Sequence, residues 1–324
     1  MILSRTAEGL FWIGRYLERV QDLARVVDVA YHSRLEQVGS RRRSAEDWEP
    51  LLLVSGERER FFQAHARAEA RAVASFLTFD LDNPNSISSC LRSARENARG
   101  MRDRITSEMW ETLNSFYLWL SERSLLHDSD SNLYALYSGI KERCFLFSGV
   151  AQGTMIHDEG WQFLRIGTFL ERAIMTARIL EVQFPLLLEE DARPNGGVTR
   201  SMWLLRSVSA YEAYSKAFHL GIRPGLVADF LVFDAIFPRS IRYSISAATS
   251  SLRRVSDAPR DGYADSAERI LGWLGASLAY SDRRQLIDER LQPLLGDIQT
   301  RCAEVSEELA EIYFAYKVPG AYEA

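Results

Sequence analysis

Two stretches of this chain place Glu and Arg where they could act together. Residues 13–29 read IGRYLERVQDLARVVDV and residues 166–182 read IGTFLERAIMTARILEV, so that Ile, Gly, Leu, Glu, Arg, Ala, Arg and Val recur without a gap. At about 100° per residue, Gly14, Glu18 and Arg25 share one stripe of a helix, roughly opposite the centre of its apolar face. Gly167, Glu171 and Arg178 repeat that stripe, with Arg19 and Arg172 on its flanks. A glycine admits a second backbone, and a Glu and an Arg set away from the core predict a second, partly polar packing surface. Two readings compete. One is an ion-pair lattice between two long helices related by a pseudo-twofold axis. The other is a charged cleft for an anionic or zwitterionic ligand, with Arg clamping carboxylate or phosphate at two points. In the cleft, Glu18 or Glu171 would be the acid or base, and Arg19, Arg25, Arg172 and Arg178 would hold carboxylates. In the lattice, Glu18–Arg25 and Glu171–Arg178 pack about the axis, with the helices antiparallel and Gly14 and Gly167 at their crossing.

A second constellation is basic. Arg92, Arg95, Arg99 and Arg102 fall within about 80° on a helical wheel, beside an apolar face of Leu91, Ala94, Ala98, Met101 and Ile105. Such a ridge suits an acidic partner or is a solvated face tied to Glu96, Asp103 and Glu108. Nucleic acid is not expected, because Trp110 and Tyr117 read as too far along the chain to stack beside these arginines. His157-Asp158-Glu159 precedes the second repeated segment. An acidic pair at a helix start suits the helix dipole; metal ligation is the alternative, and Glu8 occupies the corresponding place before the first segment. No HExxH, GxSxG, GxxxxGK[ST] or GxGxxG occurs, so zincin, hydrolase, P-loop and Rossmann chemistry lack their signatures. No metal or cofactor is expected. Cys90, Cys144 and Cys302 stand far apart without a CxxC and read as reduced thiols.

The elements that must carry these residues read as helices throughout. Ile13, Tyr16, Leu17, Val20, Leu23, Ala24 and Val27 recur at three- and four-residue steps, predicting a long helix over about 6–38. Further helices are expected over 44–53, 57–79, 86–105, 107–126, 133–153, 158–184, 199–220, 225–233, 238–255, 265–280 and 281–316, with Pro185 ending the second long one. No run alternates like a strand. The 324 residues, 47% hydrophobic and 26% charged with net charge −5, fit a globular protein without a basic excess. Arg5, Glu8, Arg15, Glu18 and Arg19 break any leader-like apolar run, and no membrane span is legible, so a cytoplasmic protein is expected. The repeat extends outward, pairing Trp48 with Trp203, Glu57 with Glu212 and Pro84 with Pro238. The expectation is an all-α fold of two pseudo-symmetric helical-bundle halves, 1–155 and 156–324, from an internal duplication and packed into one compact body.

The chain resembles the bacterial alpha-E family, all-helical proteins of unknown function named for a Glu-Arg motif. Leu3-Ser4-Arg5-Thr6-Ala7-Glu8, Phe11 through Arg19, Ser93 through Arg99, Ser107 through Glu111, His157 through Trp161, and Leu170-Glu171-Arg172 carry the resemblance. Gly9 stands where the family often has Asn. The resemblance implies a setting beside a circularly permuted ATP-grasp ligase and a transglutaminase-like protein, sometimes with a proteasome-like β-subunit. That implies an accessory part in peptide or amide-bond synthesis, binding the ligase or its peptide. An enzyme with a Glu/Arg-lined cleft, or a structural scaffold, are the alternatives.

Overall fold

The computed structural model describes residues 3–36, 48–123, 130–192, 198–219, 221–256 and 262–315. Among them there is no strand. The elements are α1 (Ser4–Glu36), α2 (Glu49–Ser55), α3 (Arg58–Ala64), α4 (Ala70–Thr78), α5 (Ile87–Arg99), α6 (Ser107–Ser121) and α7 (Asp130–Thr154). They continue as α8 (Glu159–Asp191), α9 (Thr199–Ser207), α10 (Tyr211–Ala217), α11 (Pro224–Phe233), α12 (Ile241–Ser256), α13 (Ser266–Tyr280), α14 (Arg283–Glu289) and α15 (Leu291–Leu309). A π-helical turn, Ala310–Phe314, follows α15.

Side-chain oxygens start several helices by accepting from otherwise unpaired backbone N–H groups. Ser86 caps α5 through the amide of Ser89 at 3.1 Å, Thr106 caps α6 through that of Met109 at 3.2 Å, and Asp158 caps α8 through that of Gly160 at 2.9 Å. Asp265 caps α13 through the amide of Glu268 at 2.8 Å, while the Glu268 carboxylate reaches back to the amide of Ala264 at 2.9 Å. The expected capping box therefore closes one residue further out than its usual form.

Besides 281–316, which divides at Arg290 into α14 and α15, and 86–105, which stops at Arg99, three predicted helices differ from what forms. The segment 57–79 divides into α3 and α4, because His65 is extended and α4 folds back so that Phe76 meets Phe61 edge-on at 5.2 Å. The segment 199–220 divides at Ser209, whose φ is +51°, and Phe230 meets Tyr214 edge-on at 5.8 Å. The turn after α2 and the turn after α9 share a backbone bond: the Glu57 amide donates to the Leu52 carbonyl at 3.0 Å and the Ala210 amide to that of Leu205 at 2.7 Å. Glu57 and Ala210 hold the same place in these two turns, and Glu212 lies exposed on α10. The third difference is α8, which runs through Pro185 to Asp191. A proline removes the bond to the carbonyl four residues earlier; here that carbonyl, Glu181, accepts from the Gln292 amide at 3.1 Å.

Packing sorts the long helices into two arrays. α1, α5, α6 and α7 pack in a ring, as do α8, α12, α13 and α15, and α1 against α8 joins them. The short helices lean across the joint, α2 on α8 and α9 on α1. The apolar stripe of α1 is inside but for the partly buried Tyr16, with Ile13, Val20, Ala24 and Val27 at zero exposure. The π-helical turn brings Phe314 to Phe11 at 5.4 Å and to Phe163 at 5.9 Å, closing one end of the joint.

Candidate functional site: a doubled Glu-Arg crossing

The backbones of α1 and α8 touch where the two glycines stand. A Cβ on Gly14 would lie 2.2 Å from the Leu164 carbonyl oxygen, and one on Gly167 would lie 2.0 Å from that of Phe11. The expected crossing is therefore where the spacing placed it, but its sense is reversed. Phe11 meets Gly167, Arg15 meets Glu171 and Glu18 meets Arg172. Contacts advance together along both helices, so α1 and α8 run in the same general direction.

That direction changes the pairing. Glu171, with no exposed surface, accepts from Arg19 through Nε at 2.6 Å and Nη2 at 3.1 Å, and from Arg15 Nε at 2.8 Å. Glu18, 5% exposed, accepts from Arg172 through Nε and Nη2, both at 2.8 Å, and from Arg239 Nη1 at 2.8 Å. Each helix thus offers its Glu to the Arg that follows the other helix's Glu, in the planar two-point geometry guanidinium favours. Arg25 is not the partner of Glu18; its Nη1 donates to Asp22 at 2.6 Å. Arg178 is not the partner of Glu171; its Nε donates to Gln299 at 3.2 Å. The expected Glu18–Arg25 and Glu171–Arg178 pairs fail because a Glu and an Arg seven residues apart on one helix lie about two turns, some 10 Å, from each other.

The electrostatics follow. Burial works to raise the Glu18 carboxyl, but Arg172 and Arg239 overcome it and hold it at about 2. Burial likewise opposes Glu171, and Arg19 and Arg15 bring it to about 2. Asp22 is raised, by burial first and then by the neighbouring Glu18 charge, against the pull of Arg239. Arg239 also donates to Asp22 at 2.8 Å and to the Gln21 side chain. Arg19 reaches Asn85, whose amide donates to Glu57, and Arg15 reaches Ser306 at 2.8 Å. A cavity of about 220 Å³ opens beside Glu18, walled in part by Phe145, Trp161, Phe169 and Arg172.

Other predicted residues lie elsewhere. Glu8 is exposed, away from this crossing. Arg95 donates to Asn114 at 2.8 Å and pairs with Glu96, as does Arg99 at 2.9 Å. The ridge corrects one expectation: α6 packs against α5, so Arg95 stands over Tyr117 at 4.8 Å and Arg102 over Trp110 at 4.9 Å. These rings are beside the arginines after all, occupied by them. His157 stacks on Trp161 at 4.4 Å, Asp158 is the α8 cap, and Glu159 opens the helix. No group of three metal-ligating side chains occurs among the described residues. The three cysteines are buried and unpaired, and burial pushes all of their thiols up.

Arg15, Asp22, Asn85 and Arg239 were missed as site residues. Asn85 and Arg239 had a signal, since each lies between the Pro and Ser of a helix start, Pro84-Asn85-Ser86 and Pro238-Arg239-Ser240. Arg15 and Thr168 each follow a crossing glycine, and their difference read as free substitution.

An all-α protein knotted at its centre by two exchanged Glu-Arg pairs is the class that fold and site define. The chain belongs to the Alpha-E family, described as a predicted alpha-helical domain with a conserved ER motif, which its residues 2–314 match. It is similar to uncharacterized proteins of Mycobacterium bovis and of two strains of Mycobacterium tuberculosis, each 23% identical over 95% of this chain. The chain spans 36% of the length of these curated relatives. No solved structure matches it.

Proposed function

We propose that this chain is a non-catalytic accessory component of an ATP-grasp system forming peptide or amide bonds, binding the ligase or its peptide substrate or product. The observation that carries the reading is the saturation of Glu18 and Glu171. Each accepts three or more guanidinium hydrogen bonds and stays ionised down to about pH 2. A proton-transfer group works best with a pKa near the working pH, so the enzyme reading loses the two carboxylates on which it rested. The cavity beside Glu18 keeps a binding role open without giving it a base. The curated relatives are nearly three times as long, so this helical unit occurs there joined to further chain, as suits a module that works beside another.

The reading includes an origin by duplication, with 1–155 and 156–324 as the two copies. Its support is the exchange of Glu-Arg pairs, the two ring-packed arrays and the matching turns after α2 and α9. Smaller echoes agree: Asp80 accepts from the amide of Asp82 as Asp234 does from that of Ile236, and Asp28–Lys141 on one side faces Glu181–Gln299 on the other. A cytoplasmic location belongs to the same proposal; no described helix is long and apolar enough to cross a membrane.

Co-purification with a circularly permuted ATP-grasp ligase and a transglutaminase-like protein is the test. A complex at micromolar concentration, with a change in ligase turnover, is expected. No complex and unchanged turnover would end the proposal.

A further inference from the structure

A cavity of about 490 Å³ lies between α1, α7 and α9, apart from both paired glutamates. We propose that it binds the carboxylate of an amino acid or short peptide, held by Arg25 with Lys141, Arg206 and the Ser209 hydroxyl around it. The inference goes beyond the accessory role and does not depend on the ligase.

Arg25 supplies the first observation. It is 3% exposed and forms part of the cavity wall, yet its Nη2 has no acceptor among the described residues. A buried donor left unpaired is costly and is rarely retained without a use. Burial, and then the charge of Arg239, lower Arg25 to about 10 against the pull of Asp22 and Glu18. Arg178, at the same point of α8, has Gln299 as acceptor.

Ser209 supplies a second, independent one. Its φ of +51° is a conformation that disfavours any residue with a Cβ, and the corresponding turn after α2 uses Gly56 at +76°. The strained residue borders the cavity that holds the unpaired guanidinium.

The free donor selects the ligand. Lys141 is held by Asp28 and Arg25 Nη1 by Asp22, leaving Arg25 Nη2 to meet an anion. That suits a monoanionic carboxylate better than a phosphate dianion. Asp28 is already held by Lys141 at 2.6 Å, whereas the exposed Glu142 accepts from Ser138 at 3.2 Å and is placed to meet an ammonium group. The volume falls in the range of small-molecule sites.

Calorimetric titration of the full chain tests the proposal with three probes: the dipeptide Ala-Leu, its C-terminal amide and inorganic phosphate. Ala-Leu should bind, with the amide weaker by at least about tenfold, the worth of one charged hydrogen bond, and phosphate weaker than the dipeptide. Arg25→Lys should lose a similar factor, and Arg178→Lys should bind as the parent does. Should Arg25→Lys fail to fold, Ser209→Gly and Arg206→Gln, both at exposed positions, carry the test through a measurable loss of affinity. Equal binding of acid and amide, tighter binding of phosphate, no heat with millimolar dipeptide, or unchanged affinity in both exposed variants would overturn the assignment.

Discussion

The two sides of the α1–α8 crossing reach the same end by different means. On one side Glu171 takes both donors from α1, Arg15 and Arg19. On the other, Glu18 takes Arg172 from α8 and Arg239 from the turn before α12. The residue after each crossing glycine accounts for the difference. Arg15 fills its side, whereas Thr168 turns its hydroxyl to its own helix at Leu164, and the 220 Å³ cavity opens beside it. Matching carboxylates can therefore be neutralised by unmatched surroundings, and the spare room appears where the local donor is absent.

The largest test of that comparison strikes what the sides share. Gly167→Ala and Gly14→Ala set a Cβ against backbone oxygen at 2.0 and 2.2 Å, where no rotamer change helps. Circular dichroism and denaturant unfolding should show loss of the native fold or of more than about 4 kcal/mol. Gly9→Ala meets the flexible tip of Met101 instead, and should cost no more than about 1–3 kcal/mol. Equal penalties at all three would show that the crossing is not the closest constraint.

Removing one carboxylate separates the two sides. Glu171→Ala leaves Arg15 and Arg19 without another ion-pair partner among the described residues, while Glu18→Ala leaves Asp22 on Arg239. Both should cost about 3–5 kcal/mol, Glu171→Ala the more. The double variant Glu18→Ala/Arg172→Ala should cost less than the sum of its single changes, because the pair is in contact. The reverse ranking would break the comparison; strict additivity would deny the pairing.

Acid should loosen both sides over one window. Glu18 and Glu171 are lowered in the folded state from 4.5 to about 2, so their stabilisation is complete above the unfolded value and is lost as pH falls from about 4.5 toward 2. Asp22 is raised, so its protonation on folding acts with the opposite sign and softens the loss on the Glu18 side. Unfolding free energies across this range should fall more steeply for Glu18→Gln, where Asp22 loses the Glu18 charge that helps to raise it, than for Glu171→Gln, where that charge remains. The smallest effect is expected at Ser209→Gly, a gain of up to about 1 kcal/mol from relief of the positive φ.

The helical class, the long apolar stripe of α1 and the glycine crossing were legible because each is a local pattern repeated over several turns. The breaks at 65–69 and 208–210 were not. The first goes with a long-range aromatic contact, Phe61 with Phe76, and the second with a positive φ at Ser209, a residue type that does not announce one. Pro185 misled for a similar reason, since its rescuer Gln292 lies more than 100 residues on. The sense of the crossing was hidden as well. A twofold axis through Gly14 and Gly167 fits helices running either way, and only the side chains one turn further along distinguish them. Arg239 was out of reach of any helical wheel because it comes from a turn.

The separation between partners has a consequence for how the chain is made. Arg239 lies 221 positions after Glu18, and Arg172 lies 154 after it. At a ribosomal pace of about 5–20 residues per second, α1 must wait some tens of seconds for its last counter-charge. During that wait the emerging segment carries Glu18 and Asp22 with α5 and α7 to pack on α1 but neither Arg172 nor Arg239 to meet those carboxylates. The nascent first array is thus expected to remain open to protease and to chaperone until α8 and the turn at Arg239 have left the exit tunnel. Assembly should then close late and in one step, as befits a topology whose decisive contacts are all distant in sequence.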